Sequence, residues 1–262
     1  MVVIYLRMSF LNNQDHQLNS LKKVSSPLLF FPTLSQINNA SAMIKPSFTI
    51  LKKEIAVELR TRYALNTLLA FTGASLLLIL FTLRADQMNP TPKSGLVWIV
   101  ILFAAITGMM RSFLQEADKK TWDLLKLHAQ PSEIFTGKIL YNFLFLLILH
   151  AFTFFFYLFM MNMSVVSVPY FIAAILFGSA GLASVTTLTS AMIAKADRRG
   201  SIFSVLCIPL LVPLLLILTS VTKSALIEGA TPDSIDDLMA LVGYCGVTIT
   251  AGILLFDYIW ED

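Results

Sequence analysis

Few side chains in this sequence are spaced to do chemistry. The three histidines stand at 16, 128 and 150, too far apart for an HExxH pair or another local ligand set. Cys207 and Cys245 each lie inside an apolar block, form no CxxC pair, and read as small apolar packing residues. Gly137-Lys138 is the nearest approach to a phosphate loop. Ile139 follows the lysine where Ser or Thr is needed, and Ser132 stands where the first Gly belongs. Without a Walker A the chain cannot cradle nucleotide phosphates by that motif. No paired acids and no nucleophile–base arrangement mark an active site, so no residue is assigned a catalytic or metal-binding role. His150 sits in the middle of an apolar run, where an ionisable residue is a functional candidate by position, although a neutral histidine also suits a helix–helix contact.

The composition explains this poverty. Charged residues make up 13% and hydrophobic residues 56%, with a mean hydropathy of +0.76. A soluble domain carries about 25% charged residues, and half of that cannot cover its surface. The balance argues against a soluble enzyme, a disordered chain and a nucleic-acid partner. Six apolar runs, at about 64–83, 95–114, 139–161, 168–194, 201–221 and 238–259, are long enough to cross a bilayer as helices. The expected fold is an all-α integral membrane protein with six transmembrane helices. Of the basic residues, 8 precede the first run, 5 lie between the second and third, and 3 between the fourth and fifth. Only Arg84, Lys93 and Lys223 fall on the other side, which places both termini in the cytoplasm by the positive-inside rule.

Segments outside the spans add detail. Residues 1–42, rich in Asn, Ser and Gln, read as a disordered extension or an upstream mis-called start ahead of a single permease domain at 43–262. Pro46–Arg62 is an amphipathic helix in the interface plane, with Phe48, Leu51, Ile55 and Leu59 on one face and Glu58 placed to pair with Arg62. In the second-to-third connection, Thr121 is an N-cap and Asp123 falls in the first turn of a short helix that Pro131 stops. Its Trp122, Leu124 and Leu125 make a knob that either docks in a soluble partner or packs on the headgroups. In span four, Gly178 and Gly181 permit close helix packing, within the bundle or at a homodimer seam; the Ser and Thr residues that follow suit the same packing or a polar path. Pro209 and Pro213 predict a kink in span five. Thr231-Pro232 predicts an N-cap and first helical residue leading into span six.

The run Lys-Lys-Glu-Ile-Ala-Val-Glu-Leu-Arg-Thr-Arg-Tyr-Ala at 52–64 resembles the opening of the heme exporter protein B (cytochrome c-type biogenesis protein CcmB) family. So do Trp98-Ile-Val-Ile-Leu-Phe-Ala-Ala, the block Arg111-Ser-Phe…Glu116…Thr121-Trp-Asp-Leu-Leu-Lys-Leu, and Gly137-Lys138-Ile-Leu-Tyr-Asn142. The resemblance covers about 45–262; Lys120 departs from the Gly that family members often have before the Thr. It implies the membrane subunit of an ABC-type exporter with the type-2 permease fold, in the bacterial inner membrane and as a homodimer. The implied partners are a CcmA-like ATPase carrying the ATP, CcmC-like and CcmD-like heme-handling proteins and a CcmE-like heme chaperone. No cofactor is implied for this chain itself; heme is handled by the complex, for export or for release of the loaded chaperone. On this basis Trp122, Leu124 and Leu125 are expected to insert into the ATPase from the helix opened by Thr121, with Glu116, Asp118 and Asp123 setting its orientation. His150, with Phe152, Phe154, Phe155 and Phe156 after it, becomes a candidate heme contact. A type-2 permease for a lipid, polysaccharide or drug is the alternative.

Overall fold

Hydrocarbon leaves a single segment one way to satisfy its own backbone, which is to close every bond within a helix. The computed structural model follows that rule in every long segment among the residues it describes, which are 34–83, 90–109, 113, 116, 129–194 and 199–261. The chain divides into two units, Met1–Ser41 and Ala42–Asp262, and the helical bundle is the second. The helices are α1 (Leu34–Thr61), α2 (Tyr63–Leu83), α3 (Pro90–Met109), α4 (Pro131–Met161), α5 (Val168–Ala194), α6 (Arg199–Lys223) and α7 (Pro232–Glu261), with a π-helical turn at Ser224–Glu228. The last six, α2 to α7, are each long and apolar enough to cross a membrane. No strand occurs among the described residues, so the all-α, six-span expectation is met.

The central helix is α5. Some 61% of its span is buried, against 17% for the spans of α2 and α7, and it packs on α4, α6 and α7. Its small residues make this possible. A Cβ on Gly178 would stand 2.7 Å from the Trp98 ring, and one on Gly181 would stand 2.8 Å from Leu214. Both glycines therefore serve contacts inside this bundle. The hydroxyls of Thr186, Thr187 and Thr189 donate back to the carbonyls of Leu182, Ala183 and Val185 at 2.6, 2.5 and 2.7 Å. Buried and satisfied by their own helix, they line no open polar path. In α6 the helix runs through both Pro209 and Pro213 on an exposed side, and the Tyr244 hydroxyl of α7 donates to the Leu210 carbonyl between them.

Three local expectations change. The third span starts at Pro131 rather than near 139: proline opens α4 at its first turn, and the Glu133 carboxylate accepts the Gln130 N–H at 2.9 Å. Glu58 caps α2 through the Leu65 N–H (2.9 Å) rather than pairing with Arg62. The backbone at Arg62 turns left-handed (φ 50), which ends α1, and the Arg62 Nε donates to the Leu59 carbonyl at 3.4 Å, while the N–H groups opening α2 attract the Glu58 carboxylate. Finally, the face of α1 packed on the bundle carries Ser47, Ile50, Leu51 and Glu54, roughly a quarter turn from the apolar stripe. Phe48 and Leu59 remain exposed, at 49% and 65%.

At the opposite end the chain is tied by backbone. Asn162 closes α4 in the left-handed region (φ 49), which Asn tolerates. The N–H groups of Val166 and Ser167 then both donate to the Ala225 carbonyl of the π turn at 2.9 Å. Thr231 caps α7 as expected: its Oγ1 accepts the Ser234 N–H at 3.3 Å, and the Ser234 Oγ accepts the Thr231 N–H at 3.2 Å.

Candidate functional site

The site begins with a glycine. A Cβ at Gly137 would lie 2.8 Å from the Ser47 carbonyl oxygen and 2.9 Å from the Ile50 Cβ. Only hydrogen fits there, and its absence of bulk lets α1 lie directly on α4. The next residue, Lys138, is fully buried. Removing an ammonium from water costs several kcal/mol even after relaxation, so such a lysine must be paired. Its Nζ lies 3.0 Å from Glu54 Oε1 and 3.6 Å from Glu116 Oε1, over the Phe113 ring at 4.8 Å from the centroid. Lys53 Nζ is 2.5 Å from Glu116 Oε1 and 3.6 Å from Glu54 Oε1. The four groups close a ring of alternating charge with no net charge. Burial opposes the charge on Lys53, but the bond to Glu116 and the nearby carboxylates outweigh it and raise its pKa above 10.5.

Beneath this ring lies an aromatic layer. Phe256 packs against Phe135, Phe113 and Trp260 at centroid distances of 4.9, 5.3 and 5.3 Å. Ile50, Ile134, Leu188, Ala191 and Ala194 complete the cluster. The Phe113 N–H donates to Ser190 Oγ at 3.1 Å. The root of the α3–α4 connection is thus held by α1, α4, α5 and α7 together. One turn deeper, Asn142 Nδ2 donates to Thr187 Oγ1 at 2.7 Å, joining α4 to α5.

Of the residues expected at an ATPase contact, Glu116 is turned inward, 6% exposed, and spends its carboxylate on Lys53 and Lys138. Asp118, Thr121, Trp122, Asp123, Leu124 and Leu125 lie outside the described residues. His150 is buried completely in the other half of the bundle. Its Nδ1 stands 2.7 Å from the Leu146 carbonyl and 3.0 Å from Ser179 Oγ, and its ring packs on Trp98 and Phe154. As placed, the imidazole is a contact of α4 with α3 and α5. Trp98 in turn donates its Nε1–H to Thr222 Oγ1 at 2.8 Å. Among the described residues no group of three or more His, Cys, Asp or Glu is arranged to hold a metal ion.

Sequence reasoning missed Glu54, Lys138 and Gly137. The lysine counts as one more loop cation, and the glycine before it as a failed phosphate loop. The available signal was a lysine and an asparagine at i and i+4 at the mouth of an apolar run, which places two polar groups on one helix face.

Six apolar helices, one of them buried at the centre, with a surface helix locked to one end, define a multi-pass, permease-like membrane protein. The family model described as CcmB protein matches residues 45–255. The chain belongs to the CcmB family, and the 52–64 and 111–142 blocks both fall inside the matched stretch. No curated protein matches the chain.

Proposed function

We propose that this chain is the membrane subunit of an ABC-type heme exporter and cytochrome c maturation complex. It couples ATP hydrolysis by a separate CcmA-like ATPase to heme delivery, or to release of the heme-loaded CcmE-like chaperone, for c-type cytochrome biogenesis. The observation that carries this reading is the family match over 45–255. The lack of a Walker A motif supports a partner that supplies the nucleotide chemistry. The knob from Thr121 to Leu125 is the contact with that ATPase, with Trp122, Leu124 and Leu125 inserted and Asp118 and Asp123 orienting it. Glu116 acts from behind, fixing the root of the connection through Lys53 and Lys138. Two copies stand over two ATPase subunits in the bacterial inner membrane, both termini cytoplasmic, together with CcmC-like and CcmD-like proteins.

Two measurements test this. Deletion of the gene is expected to abolish heme-stained c-type cytochromes, and the wild-type chain to restore them; normal holo-cytochrome in the deletion strain refutes the role and leaves export of another substrate. Purification of the Trp122→Ala/Leu125→Ala variant is expected to lose the ATPase subunit, while undiminished co-purification and ATPase coupling remove the knob from the interface.

A further inference from the structure

We infer that Lys138 and Glu54 are positioning residues that deliver displacement of the α3–α4 connection to α1 and α4, an inference that rests on the proposed coupling to an ATPase. The carrying observation is the closed ring of four charges drawn from three separate segments. Glu116 belongs to the connection, Lys53 and Glu54 to the surface helix, and Lys138 to a spanning helix. An exposed ion pair parts at little cost, but parting this ring takes close ion-pair partners from charges that have no exposure to water at Lys138 and little at Glu54 and Glu116. The ring forms only because Gly137 brings α1 against the α4 backbone. The three segments therefore move as one body or the ring opens. A displacement of Glu116 therefore reaches α1 through Lys53 and α4 through Lys138.

The test uses the full chain in its native complex, with Cys207 and Cys245 replaced by alanine and Ser47→Cys as reporter. Ser47 is 7% exposed on the face of α1 that packs on the bundle, so a cysteine thiol there is shielded while α1 stays on α4. Lys138→Met breaks the ring; Glu54→Gln/Lys138→Met removes one pair in balance, leaves Lys53 with Glu116, and carries the test if the single variant fails to accumulate. Both are expected to label with maleimide about tenfold faster than the parent. The ATPase subunit should still co-purify and hydrolyse ATP, while holo-cytochrome c formed per ATP falls about tenfold. A purely structural role lowers the amount of complex and leaves yield per ATP unchanged. A reporter that stays protected in both variants overturns the tether. A labelled reporter with unchanged yield per ATP overturns the delivery of displacement. A parent chain that brings down no ATPase refutes the coupling reading instead, and the reporter result then stands alone as a statement about α1.

Discussion

Lys138 shows how one side chain can be read two ways. Beside Gly137 in the linear sequence it is a spare cation at a span edge, and its burial becomes legible only once Glu54, 84 residues earlier, is brought to it. Nothing local announces that pairing, because a glutamate on a basic amphipathic helix looks solvated. The glycine gives a direct test. Gly137→Ala places a Cβ 2.8 Å from a backbone oxygen that cannot rotate away, so α1 must shift; a loss of about 1–3 kcal/mol is expected. Gly243→Ala meets nothing within 4 Å and should stay within about 0.5 kcal/mol of the parent. Thermal unfolding of both in detergent checks the contrast, and equal midpoints would deny the close crossing. Lys53 supplies a pH dependence. Its raised pKa means the folded state holds the proton more tightly, so its contribution is complete below 10.5 and is lost as pH climbs through the folded value. Since the side chain is 46% exposed, the loss is less than about 1 kcal/mol. Thermal midpoints from about pH 9 to about pH 11.5 should fall more for the parent than for Lys53→Gln.

Among the helices, legibility followed length of apolar run. Spans four and six were plain because uninterrupted hydrophobic sequence of that extent has no other stable state in a bilayer. The start of α4 was not, since Ser132, Glu133, Thr136 and Lys138 read as loop. Each of these is polar, but the Thr136 hydroxyl returns to the Ser132 carbonyl at 2.7 Å, Glu133 caps the helix and Lys138 is neutralised by α1. Polar residues extend a helix when their partners are supplied, and the partners here are tertiary. The orientation of α1 failed for a related reason: an apolar stripe predicts which face seeks an apolar medium, and this helix has two, lipid and bundle. The bundle takes Ile50 and Leu51, while Phe48 and Leu59 are left for the interface. The α4–α5 seam offers a measurable element-scale consequence. Asn142→Leu removes the amide donor to Thr187, whose hydroxyl keeps its own bond to Ala183. The expected cost is about 0.6 kcal/mol and at most about 1.7, the range for hydrogen bonds between membrane helices. Forced or denaturant unfolding in bicelles reads it, and a loss beyond that range would mean that Asn142 anchors more than this seam.

For the molecule as a whole, the described helices place two unlike ends. At one end lie α1, the root of the α3–α4 connection, the close of α5 and the close of α7, joined through the ion ring and the aromatic layer. At the other lie the turn after α4, the π turn and the capped start of α7, joined by backbone bonds to Ala225 and by the Ser220 hydroxyl on Asp237. Among the described residues the basic Lys52, Lys53, Arg60, Arg62 and Lys138 lie at the first end, and Lys93 and Lys223 at the other. The transmembrane potential and anionic inner leaflet hold such residues on the cytoplasmic side, so the ion ring should face the cytoplasm and the π turn the outside. Single reporters resolve this without reference to activity. With Cys207 and Cys245 replaced, Ser164→Cys, exposed in the turn after α4, should react with a membrane-impermeant maleimide in intact spheroplasts. Val57→Cys, exposed on α1, should react only after the membrane is opened. The reverse pattern would put the knob and the ion ring beyond reach of any cytoplasmic ATPase. It would leave the packing of α1 on α4 intact and remove the physical basis for driving this bundle from the nucleotide side.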